Sequence, residues 1–199
     1  MNRKEYFDKA AEGWDEKFFT PRLSSFLETF VPKFGLEAEQ KVLDVGTGTG
    51  VLIPYLVKAV GPSGSVTAID VSEKMVQVCR SKHSHIKNVT IKAGNIEKDA
   101  FPSETFDAVV CFGVFPHLDD KEKALHNINK MLKPCGKLVI AHALSSQEIK
   151  AHHKDASSAV FHDLLPEKAE MMRLLEQTGF TKISIKDEPG CYLCVANKA

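Results

Sequence analysis

The stretch Val42-Leu43-Asp44-Val45-Gly46-Thr47-Gly48-Thr49-Gly50 limits what this chain can fold into more than any other segment. A short apolar strand runs into a glycine-rich turn, and a helical segment follows to about Val60. Gly46 and Gly48 let the backbone turn sharply and approach a ligand with no Cβ in the way. The N–H groups that open the next helix favour an anion. Twenty residues beyond Gly50, Asp70 ends the strand Val66-Thr67-Ala68-Ile69-Asp70, where a carboxylate can accept both hydroxyls of a ribose. Strand, turn, helix and acid in register point to a nucleoside-bearing ligand rather than to a structural turn with a surface acid.

The rest of the chain fits the same plan. Phe7, Ala11, Trp14 and Phe18 share one face of a helix over 3–19, and Leu23, Phe26, Leu27, Phe30 and Val31 continue in a second helix stopped near Pro32. From Lys41 onward short strands alternate with helices. Strands are expected at 42–45, 66–70, 89–93, 106–112, 137–142, around Ile183 and Ile185, and at 191–196. Helices are expected from Ser72 to about Lys82, from Asp119 or Asp120 to near Leu132, and from Pro166 to Gly179. Such alternation gives an α/β doubly wound, mainly parallel sheet. Only Asp187-Glu188-Pro189-Gly190 joins the last two strands, too short for a parallel crossover, so they pair antiparallel. The expected organisation is a single domain over 1–199, with a helical lid at 1–35 and an α/β core at 40–199.

Composition narrows the partners. Twenty-six Lys+Arg balance 26 Asp+Glu, so no overall field draws the chain to nucleic acid or to an acidic membrane surface. No apolar run reaches the roughly 20 residues of a membrane span, and no apolar stretch follows the basic start. A cytoplasmic protein is expected. Five cysteines without an export signal imply reduced thiols. Cys191 and Cys194 stand three apart on a strand and point to opposite faces, which suits core packing and not a chelate. Cys111 is likewise read as core.

A dinucleotide site is the first competitor. Its G-x-G-x-x-G pattern fails at Val51, and no tyrosine is followed four positions later by a lysine, as a single-domain dehydrogenase of this length would require.

Four blocks, Val-Leu-Asp-Val-Gly-Thr-Gly-Thr-Gly, Ala-Ile-Asp-Val-Ser, Phe-Asp-Ala-Val-Val-Cys-Phe and Leu-Lys-Pro-Cys-Gly-Lys-Leu-Val-Ile, together resemble the class I S-adenosylmethionine-dependent methyltransferases, above all their small-molecule branch. The opening Tyr6-Phe7-Asp8-Lys9-Ala10-Ala11-Glu12-Gly13-Trp14-Asp15 is similar to the N-terminal helix of the quinone-biosynthesis methyltransferases. The resemblance implies a Rossmann-like methyltransferase fold of seven strands with the last inserted antiparallel. It implies that Gly46, Thr47, Gly48 and Gly50 wrap the methionine part of S-adenosylmethionine and that Asp44 orients its amino group. Asp70 would hold the ribose, with Val71 and Met75 flanking the adenine. Asn95, in Ala93-Gly94-Asn95-Ile96, replaces the family's usual Asp at the adenine amine, and Phe112 and Gly113 would lie beside the sulfonium.

Methyl transfer from a sulfonium is an in-line displacement that alignment alone can accelerate strongly, so an acid or base is needed only where the acceptor must lose a proton. Two candidates stand out. His117 follows the fourth strand and can act as a base, as a substrate hydrogen bond or as a structural histidine. His142 ends the fifth strand and belongs to a cluster with His152, His153 and His162, next to Asp163. That cluster can bind a transition metal, shape the acceptor pocket or simply belong to a polar, solvent-facing helix rich in His.

The Asn/Asp-Pro-Pro-aromatic run of nucleic-acid amine methyltransferases is replaced by Cys111-Phe112-Gly113-Val114, so the expected acceptor is a small molecule. A non-catalytic metal- or ligand-binding protein on the same fold is the second competitor, and oligomeric state stays open.

Overall fold

The computed structural model describes residues 2–156 and 158–199. Its strands are β1 (Lys41–Val45), β2 (Ser65–Asp70), β3 (Val89–Ala93), β4 (Phe106–Phe112), β5 (Leu132–His142), β6 (Phe180–Glu188) and β7 (Cys191–Lys198). They form one sheet in the order β3-β2-β1-β4-β5-β7-β6. The chain divides after Asn95 into two compact units.

The first unit holds α1 (Arg3–Ala10), α2 (Trp14–Phe18), α3 (Pro21–Phe30), α4 (Ile53–Val60) and α5 (Glu73–His83) with β1, β2 and β3, which pair in parallel. Three of these helix starts have a side-chain cap. Asn2 and Glu5 form a reciprocal capping box on α1, Thr20 caps α3 with Pro21 in its first turn, and the Ser72 hydroxyl accepts the Met75 N–H to start α5. The expected helix over 3–19 is broken by a 3-10 turn at Ala11–Gly13. Its apolar face survives the break: Phe7 and Trp14 rings meet at 5.7 Å, and Trp14 and Phe18 at 4.3 Å. Leu43 and Val45 of β1 are buried, as are Ile53, Leu56 and Val60 on one face of α4. Ile53 also packs with Ala68, Val76, Cys79 and Ile91. Each such side chain contributes roughly 1.5–3 kcal/mol by leaving water. The helix after the glycine motif begins only at Ile53, later than expected. The motif therefore sits in a run of turns and not on a helix terminus.

The second unit holds β4 to β7 with α6 (Lys121–Met131), α7 (Ser146–Ala156) and α8 (Lys168–Gln177). β4 and β5 are parallel, while β7 runs antiparallel to both β5 and β6, as the short final connection required. β5 starts five residues before the expected Lys137. Leu132 pairs with Phe106, and the register then jumps to Lys137 opposite Ala108, so the expected turn at 133–136 survives as an irregularity within the strand. Cys135 takes φ 61 there. α8 starts at Lys168 rather than at Pro166.

α7 matches the alternative of a polar, His-rich helix for this segment, and its start carries a signature. Ser145 Oγ accepts the Glu148 N–H, and the Glu148 carboxylate accepts the Ser145 N–H at 2.7 Å, a capping box. The same carboxylate accepts the Gly190 N–H at 2.7 Å, and Asp187 accepts the Ser146 N–H at 2.9 Å, which fastens α7 to the β6–β7 hairpin. No described helix is long and apolar enough to cross a membrane.

Candidate functional site

In the first unit the glycine turn is organised by carboxylates. Asp70 accepts the Gly48 N–H at 2.9 Å and the Ser72 N–H at 2.8 Å, so the tip of β2 and the turn after β1 share one acid. Burial raises the Asp70 carboxyl above its ordinary value, against the pull of those backbone N–H groups. Asp44 lies deeper, 1% exposed, and burial pushes its carboxyl up to about 7. Its Oδ2 and the Thr47 hydroxyl are both buried with no partner at full hydrogen-bond geometry, although the hydroxyl lies near enough to oppose part of the rise in the carboxyl. Leaving such groups unmet costs about 1–3 kcal/mol each, so they mark a place where a polar ligand belongs.

The glycines divide by role. Gly48 sits at φ +55, and an added Cβ there would meet nothing within 4 Å, so the space above it is open. Gly50 sits at φ +87, where a Cβ would come within 2.6 Å of the His83 ring and 2.8 Å of Cys79 Sγ. Close packing of the turn on α5 already accounts for Gly50. Of the two candidate adenine neighbours, Val71 is an exposed apolar side chain at 40%, whereas Met75 is 1% exposed and packs into the core. Asn95 closes this unit half-buried.

Two residues that carried no role in the sequence reading hold the N-terminal helices against this turn. Asp8 of α1 accepts from the Ser72 hydroxyl at 2.6 Å, and that bond holds its carboxyl below the ordinary range. Asp15 of α2 accepts from the Thr49 hydroxyl and from Lys82 Nζ, each at 2.5 Å. Burial works to raise Asp15, and these two donors overcome it, leaving the carboxyl lowered. Both acids stand in the Tyr6–Asp15 block, which was the available signal.

In the second unit the histidines take different partners. His117, in a 3-10 turn after β4, places Nδ1 2.7 Å from the Asp163 carboxylate. His153 places Nδ1 2.6 Å from the Asp163 carbonyl oxygen, and the His117 and His153 rings lie 4.9 Å apart. His142, at the end of β5, accepts the Leu144 N–H on Nδ1 at 3.1 Å and lies 6.3 Å from the Phe112 ring. Burial drives the His142 imidazole down to about 3, and repulsion from His117, His153 and His152 adds to it. His162 is exposed, edge-on to Phe161 at 4.8 Å, and His152 is exposed on α7. Ile96 is buried and gives its carbonyl to Asn127 Nδ2.

Among the described residues no three His, Cys, Asp or Glu side chains converge as a metal site. The expected transition metal at His142, His152, His153 and His162 therefore lacks its ligand set. His153 spends Nδ1 on a carbonyl, and His162 is turned out to solvent. Cys191 is half-buried and Cys194 buried, in alternation along β7, and burial pushes the Cys194 thiol up to about 12.

Residues 36–179 match the family model described as "Methyltransferase domain". The ubiquinone/menaquinone biosynthesis C-methyltransferase UbiE of Cronobacter sakazakii is 34% identical over 142 residues, covering 69% of this chain and 55% of that one. The demethylmenaquinone methyltransferase of Staphylococcus aureus is 29% identical over 180 residues, covering 78% and 74%. A SAM-dependent methyltransferase structure from Aquifex aeolicus aligns over 100% of both chains at 27% identity, with a TM-score of 0.76. The chain spans about half the length of several of the curated relatives it matches. It belongs to the methyltransferase-domain family, the class I S-adenosylmethionine-dependent methyltransferases.

Proposed function

We propose that this chain transfers a methyl group from S-adenosylmethionine to a small-molecule acceptor. The observation that carries this reading is the pair of buried, unpartnered polar atoms, Asp44 Oδ2 and Thr47 Oγ1, in the turn whose Gly48 N–H is tied to Asp70. The cofactor fits that donor set. Asp44 would take its ammonium, the open side of the turn at Gly48 its carboxylate, and Asp70 its ribose. A carboxylate offers about four lone-pair sites, so Asp70 can serve its backbone donors and the ribose together. Val71 supplies an exposed apolar surface for the adenine, and Asn95 an amide for its amine, while Met75 packs beneath.

When bound, the cofactor supplies a methyl on a sulfonium whose leaving group is a neutral thioether. Helices α1 and α2, pinned by Asp8 and Asp15, act as a cover on the cofactor turn that keeps water out. In the second unit Phe112, His117 and His142 line the ligand-facing ends of β4 and β5, where open α/β sheets bind their substrates. The names of the relatives and the similar N-terminal block support a hydroxylated aromatic ring of the quinone-precursor kind as acceptor. No charge excess favours a nucleic acid.

A thermal-shift comparison tests the reading. S-adenosylmethionine and S-adenosylhomocysteine should each raise the melting temperature while NAD does not. Stabilisation by NAD alone would overturn it.

A further inference from the structure

The second unit holds a cavity of about 240 Å³ among the starts of α7 and α8 and the β6–β7 hairpin. Phe112, His117 and His142 do not line it, so it is a separate hollow from the one assigned to the methyl acceptor. Its volume falls below the roughly 300–1,000 Å³ of ordinary cofactor and drug-sized pockets, so only a smaller molecule fits.

The sheet side of the cavity is set by strand register. Tyr192 of β7 pairs with Asp187 of β6, and Ile185 stands two residues before Asp187, so the three share one face. All three line the cavity. Tyr192 is 2% exposed, and its hydroxyl is buried without a hydrogen-bond partner. Burial raises the Tyr192 phenol above its ordinary value, and the Cys194 thiol and the Asp187 carboxylate add to the rise, so the group stays an O–H donor. Asp187 is already engaged: it accepts the Ser146 N–H at 2.9 Å and the Ser146 hydroxyl at 2.5 Å.

The remaining lining divides into an apolar part and a charged part. Leu164, Leu165 and Pro166 add apolar surface, and Leu164 is left 38% exposed. Lys150 of α7 and Lys168 of α8 bring two ammonium groups, and Glu167 brings one carboxylate. Neither lysine has an ion pair among the described residues. With Asp187 held by Ser146, two cations flank the hollow against one free acid.

We infer that this cavity is a second binding site, one for a small monocarboxylate with an apolar tail. Tyr192 donates its hydroxyl to a carboxylate oxygen, Lys150 and Lys168 balance the charge, and Leu164, Leu165 and Ile185 cover the tail. A charged acceptor suits the buried donor because such hydrogen bonds are roughly twice as strong as neutral ones. A simple amine is repelled by both lysines, and a bare inorganic anion leaves the apolar lining unused. The inference does not rest on methyl transfer.

NMR titration of the full chain with benzoate and with hexanoate, two carboxylates whose apolar parts differ in shape, tests the site. At least one should shift backbone amide signals of residues 146–150, 164–168 and 185–192 saturably, while benzamide, the neutral counterpart of benzoate, leaves them little changed. Tyr192→Phe keeps the shape and should weaken carboxylate binding about 10-fold or more, as expected for a lost hydrogen bond to a charged group. Lys150→Gln with Lys168→Gln should weaken it about threefold to 10-fold, the range for two exposed charges. Should Tyr192→Phe fail to fold, the lysine variant, changed only at exposed side chains, decides. Saturation by neither carboxylate, benzamide binding as tightly as benzoate, or undiminished affinity in Tyr192→Phe would each overturn the inference.

Discussion

Asp70 at the tip of β2 accepts the N–H of Gly48, 22 residues earlier, at 2.9 Å, so one buried acid sets the shape of the glycine turn before any ligand arrives. A turn held this way loses little freedom on binding, which is how a rigid backbone cradle gains affinity.

Gly48 and Gly50 should separate on mutation. Gly48→Ala places a methyl at φ +55 in open space, costing about 1–2 kcal/mol of stability but filling the ligand's side of the turn. Gly50→Ala adds a collision with His83 and Cys79 to a similar backbone strain, for a total of at least about 2 kcal/mol. Urea unfolding and S-adenosylhomocysteine titration on both variants check this: Gly48→Ala should lose mainly affinity, and Gly50→Ala mainly stability.

Two buried groups give pH dependences of opposite sign. The Asp44 carboxyl, pushed up to about 7, binds its proton more tightly in the folded state. Its contribution is fully present below its unfolded value near 3.8 and is lost as pH rises through about 7. His142, driven down from 6.5 to about 3, contributes fully above 6.5 and loses that contribution as pH falls toward 3. Asp44→Asn should flatten the melting-temperature curve on its neutral side, and His142→Gln on its acid side. Each kcal/mol is worth about 2–4 °C in a chain of this size.

The Tyr192 hydroxyl is buried without a partner, although the ring is well packed at 2% exposure. Tyr192→Phe removes the unmet group and keeps the shape, so stability should hold or rise by up to about 1–3 kcal/mol. Denaturant unfolding measures it, and a loss above 1 kcal/mol would mean the hydroxyl is satisfied in solution.

Asp15→Ala releases both Thr49 and Lys82 from α2. Because Asp15 is about a third exposed, at 34%, the global cost should be small, about 1 kcal/mol or less. Local opening should show instead: limited proteolysis should cut within residues 3–18 several times faster than in the wild type, while the remainder stays intact.

The glycine turn was legible in the sequence because every part of it is local: an apolar strand, glycines for positive φ, and an acid at the end of the next strand. The antiparallel β7 was legible too, because four residues cannot carry a crossover. The break at Ala11–Gly13 was hidden because the apolar spacing of Phe7, Trp14 and Phe18 continues across it. α7 stood only as an alternative because its polar, His-rich sequence shows no clear apolar face, although Ser145 and Glu148 mark its start. Asp8 with Ser72, Asp15 with Lys82 and His117 with Asp163 are 64, 67 and 46 residues apart. Such pairings exist only after the chain has folded, and no periodicity encodes them. The metal expectation finds no ligand set among the described residues for a related reason: that His153 spends Nδ1 on a carbonyl is not readable from spacing.

Isothermal titration of S-adenosylhomocysteine into wild type and Asp70→Ala tests the central claim most directly. One site per chain is expected, with affinity falling roughly 10- to 100-fold in the variant, since a hydrogen bond to a charged group is worth about 1.5–3 kcal/mol. Equal affinity in the two proteins, or no binding to a folded wild type, would contradict it.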